Sequence, residues 1–138
     1  MMNLIDTLVR HEGLRRLAYE DSLGILTIGV GRNIQEVGLS DDEIYYLLKN
    51  DIRRCETELD NAFRWYKHLD QVRQEAMINL CFNLGITRLR KFKHALRAME
   101  AKDYEDAADE FLDSLWATQV GQRAVEVAEM IRTGNYVR

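Results

Sequence analysis

The chain contains no proline and only two cysteines in 138 residues. Without proline there are no Pro-rich linkers and no X-Pro isomerisation, so glycines and side-chain caps must punctuate the helices. Cys55 and Cys81 each fall inside a helical pattern and read as two reduced thiols rather than a disulfide framework. No apolar run reaches the length of a membrane span. The start, Met-Met-Asn-Leu-Ile-Asp-Thr-Leu-Val-Arg, has neither the basic opening nor the apolar stretch of a signal peptide. Neither sign of charge dominates, and the net charge of −4 argues against a general phosphate-backbone binder, so no nucleic-acid partner is expected. The local exception, Arg88, Arg90, Lys91, Lys93 and Arg97, is followed by the acidic run Asp103, Glu105, Asp106, Asp109, Glu110 and Asp113. Both segments read first as solvated helix faces, with a polyanion contact as the second reading of the basic one. What is present, 46% hydrophobic and 30% charged residues, describes a soluble globular chain of one domain.

Hydrophobic periodicity predicts mostly helix with one β-hairpin. Asn3 can cap a first helix whose Leu4, Ile5, Leu8 and Val9 share one stripe, with Gly13 at its end. From Leu17 to Val30, two extended runs flank the polar turn Glu20-Asp21-Ser22-Leu23-Gly24. A helix from Asp41 to about Phe63 follows, with Ser40 and Glu43 as a capping box and Leu39 with Ile44 as a hydrophobic staple. Its Ile44, Leu47, Leu48, Ile52 and Leu59 are expected to face inward. Trp65 and Tyr66 mark a break, and Asp70 caps a helix ending at Gly85 whose apolar residues suit the centre of a bundle. Three shorter helices are predicted near Lys91 to Glu100, Tyr104 to Leu115 and Gln122 to Arg132, with Asp103 capping the middle one.

Most chemical motifs are excluded by spacing. His11, His68 and His94 have no ligand partner at i+3 or i+4, so no metal site is expected. Gly29 and Gly31 lack the third glycine of a dinucleotide fingerprint. His11-Glu12 lacks the second histidine of a zincin helix, and no serine or cysteine occupies a nucleophile elbow. What remains is Glu12, Asp21 and Thr27, spaced Glu-x8-Asp-x5-Thr where the first helix gives way to the hairpin. Glycoside hydrolysis needs one carboxyl group that stays protonated and one that stays ionised. Glu12 stands at the negative end of a helix dipole, which disfavours an anion, whereas Asp21 stands in a polar turn and Thr27 on the returning strand can hold a water. Asp in turns and Thr in strands are also what those elements prefer, so spacing alone leaves a purely structural reading open.

Ordered blocks along nearly the whole chain resemble the phage-type lysozymes, the endolysins of glycoside hydrolase family 24. The carriers are Glu12-Gly13-Leu14 with Tyr19-x-Asp21, Thr27-Ile28-Gly29-Val30-Gly31, Ala76 through Gly85, Ser114-Leu115-Trp116, and Arg123-Ala124 with Arg132-Thr133-Gly134. The resemblance implies an α+β, mostly α, two-lobed lysozyme-like fold. It divides a single domain, 1–138, into an N-terminal β-hairpin lobe (about 13–45), a long connecting helix and a helical C-terminal lobe (about 64–138), with helix 1 packed on the latter and an active cleft between lobes. It implies a muramidase that hydrolyses the β-1,4 bond between N-acetylmuramic acid and N-acetylglucosamine in peptidoglycan, without metal or cofactor. Glu12 would be the general acid, Asp21 the base or electrostatic stabiliser, and Thr27 the residue that positions water. The family is generally regarded as inverting, which implies roughly 6.5 to 9.5 Å between the carboxyl groups. Arg123 matches an arginine that pairs with the acid, and Phe82 with Asn83 match a sugar-contacting position, while Trp116 reads as packing.

The family also implies a monomer that inserts in no membrane, accumulates in the host cytoplasm, and reaches the wall or periplasm once a holin opens the inner membrane. Two departures stand out: Arg32 occupies a position often held by histidine, and the stretch from Arg32 to Ser40 is short. The alternatives are a lytic transglycosylase, which cuts the same bond with one carboxyl group and leaves an anhydro sugar, and a non-catalytic glycan-binding module.

Overall fold

The computed structural model describes residues 3–138 and is mostly helical with one small sheet, the α+β class expected. The chain forms two compact units, Met1–Leu47 and Leu48–Arg138.

The first unit opens with α1, Leu4–Glu12, which starts where the Asn3 side chain accepts from the Asp6 amide at 2.9 Å and ends at Gly13 with φ 81°. The hairpin follows as β1, Arg15–Glu20, and β2, Leu26–Gly29. A third strand, β3, Arg32–Asn33, is two residues long and was not foreseen, being too short to show alternation. The sheet is antiparallel in the order β1-β2-β3, and Thr27 pairs with Tyr19 on one side and Asn33 on the other. This central position makes Thr27, 4% exposed, the one fully buried residue among the described residues of the unit. The stripe Leu4, Ile5 and Leu8 on α1 is exposed.

Helix α2, Asp41–Ala62, begins at the predicted capping box: the Ser40 amide donates to Glu43 Oε1 at 2.8 Å and the Glu43 amide to Ser40 Oγ at 3.3 Å. The inward face predicted for it holds only in its second half, where Leu59 is buried. Ile44 and Leu47, predicted inward, are about half exposed, because this part of the helix belongs to the first unit, whose small sheet offers no apolar core to receive them.

The second unit holds the hydrophobic core. After the 3-10 turn Tyr66–His68, helix α3, Gln71–Leu84, starts at Asp70 and stops at Gly85, as the caps predicted. Its Ala76, Met77, Leu80 and Cys81 are buried, which makes it the central helix of this unit. Around it stand α4 (Ile86–Leu89), α5 (Lys93–Glu100), α6 (Tyr104–Leu112), α7 (Leu115–Val120) and α8 (Gln122–Thr133). α4 and α7 were not foreseen, since neither is long enough to display a 3.6-residue period. Ser114 explains why α6 stops early: its hydroxyl donates to Phe111 O at 2.6 Å and accepts from the Ala117 amide at 3.2 Å, so it closes one helix and caps the next. Alanines at 107, 108, 124 and 128 are buried on α6 and α8, which pack together. The two cysteines are free and buried; desolvation pushes the Cys81 thiol up to about 12, and Cys55 also upward, so both behave as core side chains. The basic run from Arg88 to Arg97 is exposed, and Arg132 on α8 ties down part of the acidic run through ion pairs to Glu105 and Asp109.

One polar side chain closes the α3 and α8 packing. Arg73 donates through Nε to Ile131 O at 2.6 Å and through Nη2 to Arg132 O at 3.2 Å, so it satisfies carbonyls that the end of α8 leaves free. Its guanidinium also pairs with Asp70 and lies 3.7 Å from the ring centre of Tyr104. Charged hydrogen bonds and a cation–π contact shielded from water together stabilise by about 2 kcal/mol. Arg73→Ala is therefore expected to lower the denaturant midpoint by the equivalent of about 2 kcal/mol with an unchanged m-value, as measured by urea titration.

Candidate active site

Asp21 follows β1 directly and turns the chain with its own side chain. Its Oδ1 accepts from the Leu23 amide at 2.8 Å and the Ile25 amide at 2.9 Å, while its backbone amide donates to Ile25 O at 2.9 Å. Oδ1 is therefore occupied, and among the described residues no donor reaches Oδ2. The Thr27 hydroxyl donates to the same Ile25 carbonyl at 2.8 Å. With its single proton committed there, Thr27 Oγ1 has only lone pairs to offer, and the partner it suits is a donor such as water. The Ile25 peptide groups thus join the two side chains: its N–H holds the carboxylate and its carbonyl holds the hydroxyl.

Glu12 is the last residue of α1 and is exposed. Its carboxyl end lies against Gly31, where Oε2 stands 2.8 Å from the position a β-carbon would take. Glu12, Asp21 and Thr27 thus sit on three elements of one unit, at a helix end, a turn and the middle strand. Sequence reasoning missed two supports of this set, the Ile25 backbone and Gly31. Only Gly31 left a signal, as the last residue of the Thr27-Ile28-Gly29-Val30-Gly31 block.

The arginine at the unusual position is a structural partner. Arg32 grips Glu43 with both arms, Nη1 to Oε1 at 2.8 Å and Nη2 to Oε2 at 2.5 Å, and Nη1 also donates to Gly38 O at 3.1 Å. It ties β3 to the start of α2 across the short connection. The Arg32 guanidinium, with the Ser40 amide, holds the Glu43 carboxyl down at about 2 against an ordinary 4.5.

The supporting residues lie in the second unit. Arg123 donates through Nε to Asn79 Oδ1 at 2.9 Å and through Nη2 to Asn79 O at 3.4 Å. Both line a groove of about 520 Å³ with Ile78 and Phe82, whose ring is half exposed. Asn83 lies outside this lining; its Oδ1 accepts from Trp116 Nε1 at 2.6 Å, and Trp116 is buried as packing predicted. Asn79, the partner of Arg123, had not been singled out.

The family model for phage lysozyme matches residues 9–131. The chain belongs to the phage lysozyme family. Among its relatives, a probable T4-type lysozyme of Dictyostelium discoideum is 29% identical, the alignment covering 94% of this chain and 93% of the relative. The endolysin of Salmonella phage P22 is 35% identical over 83% of this chain and 80% of its own length. The pre-baseplate central spike protein Gp5 of Enterobacteria phage T4 is 28% identical over 97% of this chain, which spans 28% of that longer protein. As a phage lysozyme, this protein is a glycoside hydrolase with a lysozyme-type, peptidoglycan-degrading function. Among the described residues no helix of this lysozyme is long and apolar enough to cross a membrane.

The Arg32–Glu43 pair gives this lysozyme a defined pH response. A depressed carboxyl stabilises fully above its unfolded value, and the stabilisation is lost as pH falls from about 4.5 towards 2. Thermal unfolding followed from pH 7 to pH 2.5 should show a smaller loss of Tm in Glu43→Gln than in the wild type. Arg32→His should confine the stabilisation to a window, since it still needs the ionised Glu43 at low pH and is also lost at high pH, as an imidazolium raised by Glu43 above about 6.5 gives up its proton.

Proposed function

We propose that this lysozyme hydrolyses the β-1,4 bond between N-acetylmuramic acid and N-acetylglucosamine with Glu12 as general acid and Asp21 as general base. The observation that carries the reading is the division of labour at the Ile25 backbone, which, among the described residues, leaves Asp21 Oδ2 without a donor and Thr27 Oγ1 able only to accept. A water that donates one proton to Thr27 and the other to Asp21 Oδ2 turns its lone pair outward, towards the anomeric carbon. As that carbon acquires oxocarbenium character, Asp21 takes a proton from the water and the new C–O bond forms. The glycosidic C–O bond breaks on the opposite face, and Glu12 supplies the proton to the departing oxygen. Attack opposite the leaving group inverts the anomeric centre. Solvent then returns Glu12 and Asp21 to their starting states.

In this reading Arg123 is the arginine that orients the acid, and Phe82 with Asn83 contacts sugar. The biological role is lysis of a bacterial host by a monomer that waits in the cytoplasm until a holin opens the inner membrane. The name of the P22 relative, an endolysin, supports that role.

Digestion of purified peptidoglycan, read by mass spectrometry and by NMR of the nascent anomers, tests the chemistry. The wild type should release reducing muramic ends as the α-anomer, and Glu12→Gln, which keeps the shape and removes the proton donor, should release none. Anhydro sugars would make the protein a lytic transglycosylase, and intact glycan with the wild type would leave a binding module. Thr27→Val, which keeps the shape without the hydroxyl, should lower kcat about 100-fold with a small change in KM. Arg123→Ala should lower both activity and Tm; full retention of the two would remove its orienting role.

A further inference from the structure

All eight glycines of the chain have positive φ, so backbone conformation does not distinguish them. Space does. At six of them an added β-carbon would meet nothing within 4 Å. At Gly134 it would meet the guanidinium of Arg73, which clamps α8, and at Gly31 the three nearest atoms it would meet are all of Glu12, at 2.8 Å for Oε2, 3.1 Å for Cδ and 3.2 Å for Cγ. These three atoms belong to the outer half of the side chain proposed as the proton donor.

We infer that Gly31 is a positioning residue for the acid: the side chain it lacks is the space in which the Glu12 carboxyl rests. This inference rests on Glu12 being the general acid. The hairpin makes the arrangement possible, because β2 ends at Gly29 and the tight reversal through Gly31 into β3 brings backbone, rather than a side chain, against the end of α1. A methyl group at this point would meet Glu12 along its length and turn the whole carboxyl away. A displacement of about 1 Å at a reacting group costs on the order of 100-fold in rate. Gly38, with φ 70° and nothing within 4 Å, supplies the matched control for backbone strain alone.

The test is a double-mutant cycle combined with kinetics on the full chain. Gly31→Ala should lower Tm more than Gly38→Ala does, and the excess should disappear when Glu12 is truncated in Glu12→Ala, because the clash then has no partner. Should Gly31→Ala alone fail to fold, the Gly31→Ala and Glu12→Ala combination should recover folding. On peptidoglycan fragments, Gly31→Ala should lower kcat at least about tenfold with KM within about twofold, and should shift the pH-profile limb that reports the proton donor. Gly38→Ala should leave kcat and profile unchanged. Equal Tm losses for Gly31→Ala with and without Glu12 would overturn the positioning role, whatever the identity of the acid. So would an unaltered kcat and pH profile in Gly31→Ala beside an inactive Glu12→Gln. An active Glu12→Gln would instead overturn the acid assignment on which the inference rests.

Discussion

The backbone of a single residue, Ile25, holds the candidate site of the first unit together. Its N–H is committed to the Asp21 carboxylate and its carbonyl to the Thr27 hydroxyl and the Asp21 amide, so the turn cannot change without moving both side chains. The hydrogen bonds that close the hairpin are therefore also those that decide which oxygen of Asp21 is taken by amides and leave Thr27 Oγ1 only lone pairs to offer. Among the described residues Thr27 is the most buried of its unit and polar, a combination that is stable because its one proton has a fixed acceptor. In a unit without an apolar core, this hydroxyl stands where a hydrophobic side chain would ordinarily sit.

The two units solve the problem of stability differently. The first relies on directed polar contacts: the Asn3 cap, the Asp21 turn, and the two-armed Arg32 grip that fastens β3 to α2. The second buries Leu59, Met77, Leu80, Leu89, Phe111 and Ile131 and uses polar groups mainly to finish helix ends, as Asp70, Arg73, Asp103 and Ser114 do. Arg123 and Asn79 are an exception, a half-buried polar pair in a groove that Glu56, Gln71, Gln74 and Glu75 also line. Placing the candidate acid and base on the hydrogen-bonded unit sets Asp21 by the geometry of the backbone, where amides hold one carboxylate oxygen and, among the described residues, no donor reaches the other.

Signals that depend on neighbours in sequence were legible. Caps at Asn3, Ser40, Asp70 and Asp103 and stops at Gly13 and Gly85 stood where side-chain hydrogen bonding and positive φ place them. The hairpin and the central role of α3 followed from period 2 and from apolar residues on all sides. Elements of two to six residues, β3, α4 and α7, escaped because no periodicity can be read over so short a length. Ile44 and Leu47 misled for a related reason: amphipathic spacing states which face of α2 is apolar, not whether the chain supplies anything to cover it.

The candidate site shows the same division. The sequence alone determined the residue types and their order, Glu12, Asp21 and Thr27 across a helix end, a turn and a strand, because acid and base chemistry constrains what side chains are and local caps constrain where elements begin. It also determined family membership, since ordered blocks survive as a linear pattern. Only the tertiary structure decided that Ile25 serves both side chains, that Arg32 finds Glu43, that Arg123 finds Asn79, and that Gly31 yields its place to Glu12. Each of these is a contact fixed by how strands register and helices stack, and the direction of a hydrogen bond across such a contact is set by three-dimensional geometry that no spacing along the chain encodes.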